Sequence, residues 1–127
     1  MNIHEYQGKS LFRGAGLPVV AGVHCTSVEQ ALSAYDDLAS KIVAVKSQIH
    51  AGGRGKGGGV KLAKNLDEVK EIAGQIIGMN LVTPQTSAEG KKVHQVLVAE
   101  DVYYPGASEP DEFYISVLLN RATGRNM

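Results

Sequence analysis

The chain has 127 residues, 43% apolar and 20% charged, which excludes intrinsic disorder and suffices for one unit with a buried core. Thirteen Lys and Arg balance thirteen Asp and Glu, so charge gives no support to a nucleic-acid or membrane partner. Cys25 is the only cysteine, which excludes an intrachain disulfide; with no membrane-length apolar run and no signal or transit pattern, a soluble cytoplasmic chain is expected.

In chain order, Asn2 and Glu5 have capping-box spacing and open a short helix on which Ile3, Tyr6 and Leu11 share a face. Gly14 and Gly16 mark its stop, and 18–23 reads as a strand. Ser27 with Gln30 opens a second helix. Its stripe of Val28, Ala31, Leu32, Tyr35, Leu38 and Ala39 is core, with no cofactor role for Tyr35. A strand over 42–49, a glycine-rich stretch and a strand over 60–63 follow. Asn65 with Glu68 then caps a third helix that ends at Gly78. Residues 79–92 read as a polar connector and 93–99 as a strand stopping at Glu100 and Asp101. Turn residues fill 103–110, 113–119 reads as a last strand, and 120–125 as a turn with no returning strand, which suggests a longer parent. Strands alternating with helices predict a layered α/β unit, helices packed on a sheet.

The stretch that asks for a chemical explanation is 47–61. Glycine stands at 52, 53, 55, 57, 58 and 59, with Arg54 and Lys56 between. Glycine lets the backbone adopt unusual angles and lets a second object approach closely. Strand alternation puts Ala44, Lys46 and Gln48 on one face and Val43 and Val45 on the other, so Lys46 stands beside the loop. A strand, a glycine loop carrying cations and a second strand suit a flap over phosphates. Gly53-Arg54-Gly55-Lys56-Gly57-Gly58 spells a dinucleotide-binding fingerprint, but a strand follows where that motif requires a helix. The P-loop pattern fails too, since Gly57 follows Lys56 and His50 stands where its first glycine belongs. A single RGG-like tract in an uncharged chain is thin support for nucleic acid. A floppy hairpin tip is the remaining alternative.

Met1-Asn2-Ile3-His4-Glu5-Tyr6-Gln7, Gly16-Leu17-Pro18 and the run from Val45 through Lys56 resemble, in order, the amino-terminal part of succinyl-CoA synthetase β subunits, which are ATP-grasp proteins. The resemblance covers the whole chain. It implies that 1–127 is a single unit, the N-terminal subdomain of an ATP-grasp fold with a mixed sheet flanked by helices, and that the rest of the subunit is absent. It further implies that Lys46 contacts nucleotide phosphates, with the amides of Gly53, Arg54 and Gly55 covering them. Glu100 and the hinge at Tyr103 would hold the base, and Glu112 the ribose hydroxyls, with Glu109 as its rival. The connection from Glu100 to Glu112 is several residues longer than in many relatives, which bears most on Tyr103.

The activity implied is that of an acid–thiol ligase. A nucleoside triphosphate phosphorylates a histidine on a CoA-binding α subunit, succinyl phosphate forms, and CoA attacks it. ATP is favoured over GTP because Val20 offers guanine no hydrogen bond. Mg²⁺ would be held by a later segment, and no residue of this stretch is assigned to catalysis or metal. His50 stands at the mouth of the loop, where packing or hydrogen bonding within the loop base is favoured over contact with phosphate, while His4, His24 and His94 are scattered without metal-ligand spacing. Two alternatives stand beside this reading: a related acid–CoA ligase such as malate–CoA ligase, and a non-catalytic nucleotide- or RNA-binding module.

Overall fold

The computed structural model describes residues 2–102 and 111–127. Helices α1 (Glu5–Gly14), α2 (Val28–Asp37) and α3 (Leu66–Ile76) alternate with strands β1 (Gly22–Cys25), β2 (Val43–Ser47), β3 (Val60–Ala63) and β6 (Val96–Glu100). The short strands β4 (Asn80–Leu81) and β5 (Lys91–Lys92) pair with each other, as do β7 (Leu119–Asn120) and β8 (Arg125–Asn126).

The cap residues explain where two of the helices begin. Ser27 Oγ accepts the Gln30 amide at 3.3 Å, and Asn65 Oδ1 accepts the Glu68 amide at 2.9 Å. Both reciprocal bonds reach one residue further back than a standard box: Gln30 takes the Thr26 amide and Glu68 the Lys64 amide. The first helix corrects the sequence expectation. Its cap is His4, whose amide donates to Gln7 Oε1 at 2.8 Å, so Glu5 is already inside the first turn.

The main sheet has the order β1-β6-β2-β3, and every neighbouring pair among the described residues is antiparallel. The expected mixed sheet is therefore corrected in this respect. β1 and β2 run parallel across helix α2, but β6 lies between them; β3 and β6 run parallel across α3, but β2 lies between them. Two interleaved split strand–helix–strand units leave no parallel neighbours.

Register sorts the side chains into two faces. Val23, Val98 and Val45 share one row, and Cys25, Val96 and Ser47 the next. This face is covered by α2 and α3, which pack on each other and bury Ala31, Ala34, Val69, Ala73 and Ile76. The β4–β5 hairpin, read from sequence as a plain connector, adds Leu81 and Val93 to the same core. Tyr35 is structural: its hydroxyl donates to the Lys64 carbonyl at 2.9 Å and to that of Lys41 at 3.3 Å. On the opposite face stand Ala44, Lys46, Leu97 and Ala99, with α1 alongside β1.

Strand limits also move. The 18–23 strand lies at Gly22–Cys25, the 42–49 strand at Val43–Ser47, and the 93–99 strand at Val96–Glu100. The expected strand over 113–119 is absent from all but its last residue, and Phe113, Tyr114 and Ile115 are 85%, 92% and 86% exposed. The 120–125 turn does have a returning strand: Asn120 Oδ1 accepts the amides of Ala122 and Thr123, Gly124 takes φ 65°, and Arg125 pairs back to Asn120.

Candidate functional site

The glycine stretch is an ordered turn, not a floppy tip. Gly57 donates to the Gly53 carbonyl at 3.3 Å, Gly58 to that of Gly55 at 3.1 Å and Gly59 to that of Arg54 at 2.8 Å. Its root is closed by the Ser47 amide on the Gly59 carbonyl at 2.7 Å, and its outer limb by the Gly52 amide on Gln85 Oε1 at 2.6 Å. Two glycines are required by local geometry. Gly53 takes φ 73° with Pro84 2.9 Å from where a Cβ would stand, and a Cβ on Gly57 would collide with the Val82 carbonyl. Gly55 is different: nothing lies within 4 Å of its Cβ position, so this side of the turn is open.

The open side faces a cavity of about 730 Å³ lined by Ile3, Glu5, His50, Gly53, Arg54 and Gly55, among others. Cations gather at its root. Arg54 Nη1 donates to the Ser47 carbonyl, and Arg54 Nη2 to Glu5 Oε2 at 2.7 Å. The other oxygen, Glu5 Oε1, accepts from Lys46 Nζ at 3.3 Å and lies 3.4 Å from Lys9 Nζ. Burial by itself raises the Glu5 carboxyl, but the Arg54 hydrogen bond and the charges of Lys46, Arg54 and Lys9 outweigh it and bring the pKa down to about 2. One carboxylate thus meets three cations, of which Arg54 lines this cavity, while Lys46 and Lys9 line a separate one. Sequence reasoning missed Glu5 by assigning it to a helix cap. A carboxylate near a lysine and an arginine distant in the chain leaves no local signal.

Lys46 and Glu100, expected at one site, are brought together. With Lys9, Val20, Ala44 and Leu62 they line a second cavity of about 400 Å³, and Val60 borders both cavities. Glu100 closes β6 opposite Val43, its amide donating to the Ala21 carbonyl at 3.0 Å. Glu112 lies in the irregular stretch before β7 and is not among the residues lining either cavity. Tyr103, like Glu109, lies outside the described residues.

The histidines are less scattered than their sequence spacing suggests. The His4 ring stacks on His50 at 3.9 Å between centroids and on Tyr6 at 5.9 Å; Tyr6 stacks on His24 at 3.9 Å. This column joins the start of α1 to the base of the loop and to β1, and the exposed His50 also lines the first cavity. Burial lowers the His4 pKa, and the charges of His50, His24 and Arg54 lower it further.

The chain belongs to the ATP-grasp domain family, whose model matches residues 2–127. Within that family it is similar to the succinate–CoA ligase (ADP-forming) β subunit of Christiangramia forsetii, with 66% identity over 131 residues that take in 100% of this chain and 33% of that protein. The corresponding subunit of Flavobacterium psychrophilum is 63% identical over the same shares, and that of Azoarcus sp. is 53% identical over 97% of this chain and 31% of that protein. The chain therefore spans about a third of the length of these relatives. In fold it resembles the dinucleotide-forming acetyl-coenzyme A synthetase 1 of Ca. Korarchaeum cryptofilum, solved with coenzyme A, acetyl-coenzyme A and a phosphorylated phosphohistidine segment. The TM-score is 0.61 at 19% identity, over 97% of this chain and 49% of that one. No described helix is long and apolar enough to cross a membrane.

Proposed function

We propose that this chain is the nucleotide-clasping part of a β subunit that joins succinate to CoA at the expense of ATP, with a CoA-binding, phosphohistidine-bearing α subunit as partner. The observation that carries the reading is the convergence of Lys46 and Arg54 on one carboxylate beside an open glycine turn. Phosphoryl transfer depends mainly on positioning and on neutralising phosphate charge, and a cluster of cations next to a turn that is open at Gly55 suits that task. In this reading the amides of Gly53, Arg54 and Gly55 and the Lys46 ammonium hold the phosphates. The base occupies the apolar second cavity at the end of β6, where Glu100 meets it, and the family resemblance assigns Tyr103 to the base as well and Glu112 to the ribose. Val20 in the wall of that cavity has no hydrogen-bonding side chain, which favours adenine over guanine.

The described residues contain no group of three or more His, Cys, Asp or Glu able to hold a metal ion. Mg²⁺, where the reaction uses it, is assigned in this reading to residues outside this stretch. A cytoplasmic location goes with this role.

The test uses the full-length subunit assembled with its partner. ATP- and CoA-dependent formation of succinyl-CoA, abolished by Lys46→Met, supports the reading. Turnover untouched by that substitution overturns the Lys46 assignment. Turnover with malate in place of succinate reassigns the acid, and salt-sensitive binding of single-stranded RNA without ATP binding overturns the enzyme reading altogether.

A further inference from the structure

Glu5 stands in the first turn of α1, whose start is fixed on both sides. The His4 amide is held by Gln7, and the Tyr6 amide donates to Gln48 Oε1 at 3.1 Å, tying the helix to the end of β2. The carboxylate is thus carried by a rigid element, not by a free loop. Its oxygens divide the work. Oε2 takes Arg54, and Oε1 takes Lys46 with Lys9 nearby.

A carboxylate among cations beside an anion site has two opposed readings. It can occupy the cations and compete with the incoming ligand, or it can hold them where the ligand needs them. Donor counting decides between these. An ammonium has three N–H groups and a guanidinium five. Lys46 uses one on Glu5, while Arg54 uses one on Glu5 and one on the Ser47 carbonyl, so each keeps spare donors. Removing the carboxylate would leave Lys9, Lys46 and Arg54 repelling one another at close range. A phosphate that displaced Glu5 would have to break contacts to three cations at once, whereas one added beside it uses donors that are already vacant.

We propose that Glu5 is a positioning residue that sets the spacing of Lys46 and Arg54 so that both present donors to neighbouring phosphate oxygens of a nucleotide. The inference rests on the reading of the glycine turn as a phosphate site and adds a residue to it. Lys9 serves as a further counter-charge, and the loop cation Lys56, which has no role in this cluster, is left to solvent or ligand.

The experiment is a double-mutant cycle on the full-length subunit in complex with its partner, reading the Kd for ADP by calorimetry. Glu5→Gln weakens binding about tenfold, the worth of a disturbed pair of charge-assisted hydrogen bonds. In a Lys46→Met background the same substitution costs less than about threefold, because one of the groups it positions is already gone. Binding that is unchanged or tighter in Glu5→Gln overturns the proposal, tighter binding being the mark of a competing carboxylate. An equal loss in both backgrounds overturns it as well, because a purely structural role would not couple to Lys46. If Glu5→Gln fails to assemble, Glu5→Asp, which keeps the charge but shortens the reach, is read by the same two criteria. A parent complex that binds no nucleotide overturns the phosphate-site reading itself, while the two preceding results would leave that reading intact.

Discussion

Replacing Glu5 with glutamine keeps the shape of the side chain and removes its charge, so the consequence for stability follows from proton linkage. The carboxyl titrates near 2 in the folded chain against an ordinary 4.5. A depressed carboxyl pKa contributes stability that is complete above 4.5 and is lost as pH falls through 2, because the unfolded chain binds the proton first. At about 1.4 kcal/mol per pH unit the difference amounts to about 3 kcal/mol. The Glu5 side chain is 22% exposed, so solvent and salt trim the value, and about 2 kcal/mol is expected at moderate ionic strength. The assay is urea unfolding followed by far-UV circular dichroism, on parent and Glu5→Gln, at intervals from pH 7 to pH 2. The parent loses its advantage over the variant between about pH 5 and pH 2. His4 acts in a separate window: as a base with a lowered pKa it costs stability as pH falls below 6.5, in parent and variant alike. Stability curves that run parallel below pH 5 would refute the ion-pair account of the Glu5 cluster.

Four further outcomes are expected. Gly57→Ala drives a methyl into the Val82 carbonyl and costs at least about 2 kcal/mol, measured by thermal unfolding. Gly55→Ala meets empty space and changes stability by less than about 0.5 kcal/mol, yet weakens nucleotide binding if phosphates lie against that side of the turn, which titration with ATP reads. Leu81→Ala empties a fully buried position against Gly57 and Gly59 and costs about 2–5 kcal/mol, with faster amide exchange at 52–59 as a companion effect. Tyr35→Phe removes the donor to the Lys64 and Lys41 carbonyls and costs about 1 kcal/mol, leaving nucleotide binding unchanged.

Elements announced by local chemistry were legible in the sequence. Ser27 and Asn65 act as caps where the spacing puts them, 60–63 is a strand, and Gly78 follows the third helix with φ 93°. Lys46 sits on the face that alternation assigns to it, with Ala44. What failed depended on partners elsewhere in the chain. The largely apolar segment at 113–119 shows that it could join a sheet, not that a neighbour is present, and only its last two residues found one, Leu118 in Met127 and Leu119 in Asn126. The polar stretch 79–92 hides a hairpin because Leu81 and Val93 are too few to make a pattern, although they reach the core. The aromatic column of residues 4, 6, 24 and 50, like the cluster around Glu5, is assembled by topology, which no periodicity records. Glycines also carried a mixed message: those at 53 and 57 serve the packing of the turn on 82–84, and Gly55 alone of these three leaves room for something else.

The middle position of β6 has a consequence for how the chain acquires its structure. Residues 96–100 bond to β1 on one side and to β2 on the other, so until they are in place β1 has no sheet partner and β2 has only β3. The sheet is complete only when this strand is in place, as an arch is with its keystone. Folding then waits on contacts between residues more than seventy positions apart, such as Val23 with Val98, which makes it slow for its size and leaves nascent chains ending before residue 96 prone to sticking to one another.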